Sequence, residues 1–142
     1  MAKKKPSISS AKEKAWDAFS LYIRTRDCKE YAKAHPESNT GPEAACVTCQ
    51  RVYPLKSLQA GHFIAGRRNA QLFDEKGVNA QCYGCNIKKK GATDEYWLWM
   101  EKRYGREVID ELIAQKHVTL ILKAWEYEAI EQTYKDKLKE LV

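Results

Sequence analysis

Two Cys-x-x-Cys pairs constrain this chain more than any other feature. Cys46 and Cys49 frame Val47-Thr48, and Cys82 and Cys85 frame Tyr83-Gly84. Structural zinc takes four tetrahedral thiolate or imidazole ligands, and two such turns supply four sulfurs with a fixed bite each. Thirty-two residues separate Cys49 from Cys82. That is longer than a simple ribbon requires, so a small folded element has to lie between the pairs. A redox pair of thioredoxin type needs a βαβ setting, which the flanking sequence does not offer. Cys28 is left over and is expected to be a semi-buried thiol at the end of the first helix.

Five cysteines used in this way suit a reducing compartment better than a secreted disulfide scaffold. The start, Met1-Ala2-Lys3-Lys4-Lys5-Pro6, lacks the apolar stretch of a signal peptide. No apolar run approaches the length of a membrane span. The expectation is a soluble, cytoplasmic protein with no membrane partner. At 142 residues, 44% of them apolar, the chain is read as one domain whose modest core gains from a metal staple.

The net charge of +6 is unevenly spread. Residues 51–90 carry eight basic side chains against two acids, Asp74 and Glu75, whereas residues 91–142 carry eight against eleven. A basic centre with an acidic tail suits a phosphate backbone as partner, even after four thiolates on one zinc contribute their local negative charge.

Local patterns divide the chain as follows. Residues 1–9 read as a basic, disordered arm. Ser10 with Glu13 is a capping-box signature, and Trp16, Phe19, Tyr22 and Ile23 recur at helical spacing, predicting a helix over 10–27. Pro36, Asn39, Gly41 and Pro42 mark a loop that completes the segment 10–45. The zinc-bearing core spans 46–93. In it, 58–64 and 70–73 are candidate strands of a short hairpin joined by the polar stretch Ala65-Gly66-Arg67-Arg68-Asn69. A helix is expected from Cys82 to about Lys90. Residues 94–142 read as C-terminal helices: 95–104 closed by Gly105, 106–116, and 123–141. Val118–Leu122 fits either a strand or a helix margin.

Between the cysteine pairs lie Gln59-Ala60-Gly61-His62-Phe63-Ile64 and, just before and after the second pair, Asn79 and Asn86. A histidine, then an asparagine, then an Asn or His on a following helix is the order of the HNH, or ββα-metal, endonucleases, which this region resembles. The chain looks more closely like the NinG (Rap) recombination proteins of lambdoid phages. The matching stretches are CVTC at 46–49, QAGHFIAGR at 59–67, LFDEKGVNAQCYGCN at 72–86, and the glycine and tyrosine of GATDEY at 91–96. The resemblance implies an α+β fold, with a small zinc-stapled ββα-metal (HNH-like) core flanked by N- and C-terminal helices. It also implies a phage protein acting in the bacterial host, a metal-dependent DNA endonuclease that cleaves branched DNA such as Holliday junctions and D-loops.

Phosphodiester hydrolysis needs an activated water, a Lewis acid on the phosphate and stabilisation of the leaving oxygen. A neutral imidazole can take the water's proton near pH 7, so His62 is the candidate general base. The resemblance gives Asn79 the task of orienting it. Mg²⁺ or Mn²⁺ would act at the phosphate, since hard cations take oxygen ligands, and the Asn86 side-chain oxygen is a candidate ligand. Arg67, Arg68, Lys88, Lys89 and Lys90 are candidates for binding DNA phosphates. One departure stands out: many HNH nucleases carry an acid or histidine ligand immediately before the base, where this chain has Gly61. The second protein ligand is left open: a backbone carbonyl, Gln59, Asp74, Glu75, or none.

Other residues have plainer readings. His35 and His117 are assigned no function. Phe73 is expected in the core, and Tyr96, Trp97 and Trp99 are expected to pack, unless one of them wedges into a DNA junction. The stripe Tyr127, Ile130, Tyr134, Leu138, Leu141 is read as core, or else as a homodimer face. Two rival functions remain: a zinc-bound nucleic-acid binding module without catalysis, and an HNH nicking enzyme acting on ordinary duplex.

Overall fold

A computed structural model describes residues 5, 7–38, 40–65 and 70–142. Its frame is a long first helix, α1 (Ile8–Ala34). The helix is capped three residues earlier than expected, because the Ser7 hydroxyl accepts the Ser10 N–H at 3.1 Å. It also runs past Asp27, since the following stretch is rich in Ala, Lys and Glu and holds no breaker before Pro36. Two residues of the expected disordered arm are therefore helical. Cys28, buried as a thiol, sits within the helix rather than at its end.

The C-terminal helix α4 (Ala124–Leu141) lies along α1. Tyr127 packs with Ala11 and Ala15, Tyr134 meets the Phe19 ring edge-on at 4.8 Å, and Leu138 lies near Leu21, Thr25 and Cys28. The contacts advance along both helices together, so the two run in the same direction and the whole middle of the chain is the crossover. Tyr127, Ile130 and Tyr134 of the α4 stripe are thus core, while Leu138 and Leu141 are half-buried and join no apolar cluster among the described residues. Trp125 of α4 is left exposed.

Two small antiparallel sheets fill the crossover. In the first, β1 (Glu43–Ala45) pairs with β2 (Val52–Pro54) around the first cysteine turn. In the second, β3 (Leu58–His62) pairs with β4 (Val78–Cys82). The partner of β3 is not 70–73, which forms turns around the buried Leu72. The strand at 78–82 escapes sequence reading because it is buried on both faces and shows no alternation. Asp74 sets its start by accepting the backbone N–H groups of Lys76 and Gly77 at 2.9 and 2.8 Å.

The outer edge of β4 would expose unpaired backbone groups, and its neighbours satisfy them. Asp27 accepts the Ala80 N–H at 2.7 Å, Val47 N–H donates to the Ala80 carbonyl at 2.9 Å, and Arg26 donates to the Val78 carbonyl at 3.2 Å. The Cys46 sulfur takes the Cys82 N–H at 3.3 Å.

Beyond β4 the chain makes a wide helical turn over Gly84–Lys88 instead of a helix to Lys90. Then follow α2 (Thr93–Tyr104) and α3 (Arg106–Ala114), with Gly105 between them at φ +88°, a conformation that favours glycine. Ala92 is the N-cap of α2, and Asp94 lies in its first turn, where its charge meets the positive helix end. Residues 118–122 are neither strand nor helix, apart from one bridge in which the Val118 carbonyl accepts the Ala70 N–H at 2.8 Å. The architecture is α+β, and no helix among the described residues is long and apolar enough to cross a membrane.

Candidate metal centre

The four sulfurs of Cys46, Cys49, Cys82 and Cys85 lie within 4.8 Å of one another. A tetrahedron with zinc–sulfur bonds of ~2.3 Å places its sulfurs roughly 3.8 Å apart, and Cys49 and Cys82 stand 3.9 Å apart. The first turn closes through Cys46 N–H to the Arg51 carbonyl at 2.8 Å and Gln50 N–H to the Cys46 carbonyl at 2.9 Å, with Gln50 at φ +64°. The second turn continues directly from β4. The Cys85 N–H points at the Cys82 sulfur from 3.4 Å, and the Thr48 hydroxyl lies 3.3 Å from the Cys46 sulfur.

Such donors stabilise thiolate. Burial alone pushes the Cys46 thiol up, but N–H groups of Cys49, Cys82 and Thr48 together with the Thr48 hydroxyl bring it down to about 6. Burial and the neighbouring sulfurs push Cys85 up to about 12. Four clustered thiolates cannot coexist without a cation, so the donor set fits structural zinc: soft, close together and mostly buried.

The candidate catalytic residues are not gathered at one point. Directly opposed residues on paired strands share a face. Gly61 opposes Asn79 and Gln59 opposes Gln81, while His62 opposes Val78. His62 therefore faces α1, where it stacks on Trp16 at 5.1 Å, above the cluster of Phe19, Ile23, Ala60 and Val78. Asn79 faces α2. The expected contact in which Asn79 orients His62 is not made, because adjacent strand positions point to opposite sides. The imidazole is instead held by the Leu72 carbonyl, 3.2 Å from Nε2. With the Nε2 proton donated there, the basic lone pair resides on Nδ1.

Asn79 is 2% exposed and fully engaged. Its amide donates to the Lys76 carbonyl at 3.0 Å and the Tyr96 hydroxyl at 3.1 Å, and its oxygen accepts from Arg26 at 3.0 Å. Tyr96, completely buried, donates in turn to the Gly61 carbonyl at 2.7 Å, tying β3 to β4 and α2. Burial raises its phenol pKa. Arg26 reaches the Glu75 carbonyl at 2.6 Å and pairs with Asp27 at 2.9 Å. Sequence reasoning misses Arg26 and Asp27, which carry no local signal. For Tyr96 the sequence signal is only its place in the family motif.

Asn86 donates to the Gln59 side chain at 2.8 Å, on the face of Asn79 rather than that of His62. The absence of a side chain at position 61 has a steric cause: a Cβ there would lie 2.0 Å from Gln81 Oε1. Gln81 is itself fixed by donating to the Thr48 hydroxyl and the Gly91 carbonyl at 3.2 and 2.8 Å. Both carboxylates weighed as a second metal ligand have other partners. Asp74 caps its turn, and Glu75 holds Lys137 at 2.7 Å and the Tyr134 hydroxyl at 3.2 Å. Lys88, Lys89 and Lys90 are exposed beyond the second sulfur turn. Arg67 and Arg68 lie outside the described residues.

Residues 2–142 match the family model described as Bacteriophage Lambda NinG protein. This chain belongs to the NinG family. It is 31% identical over 132 residues to Protein ninG of Escherichia phage 933W, a match that covers 91% of this chain and 57% of the relative. Protein ninG of Escherichia phage lambda and that of Salmonella phage P22 are each 30% identical over 132 residues, covering 91% of this chain and 56% of each relative. The chain thus spans a little over half the length of the curated NinG relatives it matches. No solved structure matches it.

Proposed function

We propose that this NinG chain is a metal-dependent DNA endonuclease in which His62 activates the attacking water, with branched DNA as the substrate. The observation that carries this reading is the setting of His62. It sits at the last position of β3, its ring stacked on Trp16 and its Nε2 against the Leu72 carbonyl. An imidazole held by stacking and by its Nε2 proton has a fixed orientation, which is what a general base requires. The order of elements supports the same reading: a strand ending in His62, its hairpin partner, and a sulfur-pinned helical turn carrying Asn86.

A divalent cation such as Mg²⁺ supplies the Lewis acid when bound. Asn86 is the residue proposed to hold it, since its amide nitrogen is committed to Gln59 and leaves the oxygen as the ligand atom. The family likeness supplies the branched-DNA preference, and the exposed lysines 88–90 supply phosphate contacts.

The separation of His62 from Asn79 and Asn86 across the hairpin favours one second reading, a zinc-stapled DNA-binding module that does not cut. Cleavage of a labelled four-way junction and its matched linear duplex in Mg²⁺ or Mn²⁺, by wild type and His62→Ala, separates the two. Loss of cutting by roughly 10²–10⁴-fold in the variant with binding retained supports the nuclease. Binding without cutting by wild type in either metal gives the case to the module. Equal cutting of junction and duplex keeps the nuclease and removes the branch preference.

A further inference from the structure

The second sulfur turn buries its cysteines but carries apolar side chains outward. Tyr83 is 52% exposed and Ile87 51% exposed. Neither belongs to an apolar cluster among the described residues. The turn between them is wider than an α-helix, with Lys89 N–H reaching back five residues to the Gly84 carbonyl at 2.9 Å. Four positions along such a turn return to nearly the same face, so the ring and the aliphatic chain project side by side.

Lys88, Lys89 and Lys90 follow at once and are exposed, and residues 77–93 contain no acid. Lys90, Gly91 and Ala92 all adopt positive φ, at +52°, +96° and +46°. For two non-glycine residues that is a strained backbone. It is held in place by Gly91 N–H to the Cys85 carbonyl at 2.9 Å and Ala92 N–H to the Lys89 carbonyl at 3.0 Å. The basic turn is therefore anchored to the sulfur cluster.

An apolar pair with a cationic rim complements base faces flanked by phosphates. A perfect duplex hides those faces, whereas a branch point or bulge uncovers them. We propose that Tyr83 and Ile87 form a stacking wedge that enters DNA at an unstacked step, with Lys88, Lys89 and Lys90 on the adjoining phosphates. This rests on the DNA reading above and assigns its branch recognition to the zinc-stapled turn. Tyr96, a candidate wedge from sequence, is completely buried and cannot reach DNA.

The test measures binding by the zinc-loaded chain in Ca²⁺, without Mg²⁺ or Mn²⁺, to a four-way junction, a bulged duplex and a matched linear duplex. Tyr83→Ala is expected to weaken junction and bulge binding by about tenfold or more, the scale of losing one base–aromatic stack, with the linear duplex little changed. Tyr83→Trp should retain wild-type affinity. A 2-aminopurine beside the branch should brighten with wild type and not with Tyr83→Ala. Replacing all three lysines by alanine should instead weaken every substrate and flatten the salt dependence.

Zinc content and melting of Tyr83→Ala are expected to match wild type; if that variant fails to fold, Ile87→Ala takes its place. Unchanged junction affinity, equal losses on all three DNAs, or binding to single-stranded RNA alone would overturn the wedge. Branch-selective loss in a chain that never cuts would leave the wedge standing and remove the nuclease. Cutting by Tyr83→Ala with wild-type branch affinity would do the reverse.

Discussion

The two faces of the β3–β4 hairpin are built by different physics. The face toward α1 is apolar and aromatic: Ala60 and Val78 lie under Phe19 and Ile23, and the His62 imidazole stacks on Trp16. The face toward α2 is polar at its centre: Asn79, Tyr96 and the Gly61 carbonyl form a closed relay, with Gln81 and the Asn86–Gln59 pair beside it. Removing the half-buried imidazole takes the His62 donor from the Leu72 carbonyl, whereas removing the buried Asn79 amide breaks three hydrogen bonds of a largely buried network. Residues of one motif can thus sit in separate environments, one apolar and one polar.

The largest expected effect comes from removing what both faces depend on. Cys82→Ser opens the sulfur cluster at the end of β4. Structural zinc in small peptides contributes about 10–16 kcal/mol, against about 5–15 kcal/mol of stability for a typical domain. The variant should lose zinc and its cooperative melt, followed by metal analysis and circular dichroism. A wild-type-like transition would break the idea that one staple serves both faces.

His62→Ala and Asn79→Ala then set one face against the other. The first should cost only about 1 kcal/mol of stability, since a half-buried ring is lost, while cleavage falls as stated above. The second should cost about 2–3 kcal/mol, because it strands the Lys76 carbonyl and part of the Tyr96 and Arg26 hydrogen bonding. Cleavage measured well below its melting point should fall far less than in His62→Ala. Denaturant melts beside rates at low temperature give both numbers. Equal kinetic losses at low temperature would join the two faces in one catalytic unit.

Much of this is legible in the sequence. The sulfur cluster follows from spacing alone, and the α4 stripe and the Gly105 break follow from helical periodicity and glycine chemistry. The partner of β3 is not legible, because 78–82 is buried on both faces while 70–73 offers Leu72 and Phe73 in a strand-like run. The split of His62 from Asn79 is hidden for a related reason: the side on which a strand residue falls depends on register, and the register depends on the partner. Arg26 and Asp27 are invisible because their role, closing the outer edge of β4, exists only once α1 and β4 meet.

A gentler comparison concerns how the hairpin is tied to the helical frame. Glu75, in the turn before β4, holds Lys137 and Tyr134 of α4. Burial pushes its carboxyl up, but the Lys137 ammonium and the Tyr22 and Tyr134 hydroxyls outweigh this and leave it below its ordinary value near 4.5. A carboxyl depressed in the folded state stabilises above its unfolded pKa, and that contribution is lost as the pH falls through the folded value. Glu75→Gln should therefore melt below wild type at pH 7, and the gap should close below about pH 4.5 as the wild-type carboxylate takes up its proton. Because the pair is partly exposed, added salt should narrow the gap at pH 7 as well. A gap that survives both acid and salt would mean that Glu75 anchors the hairpin through shape and hydrogen bonding, placing this link with the polar α2 face in kind rather than with a screened surface pair.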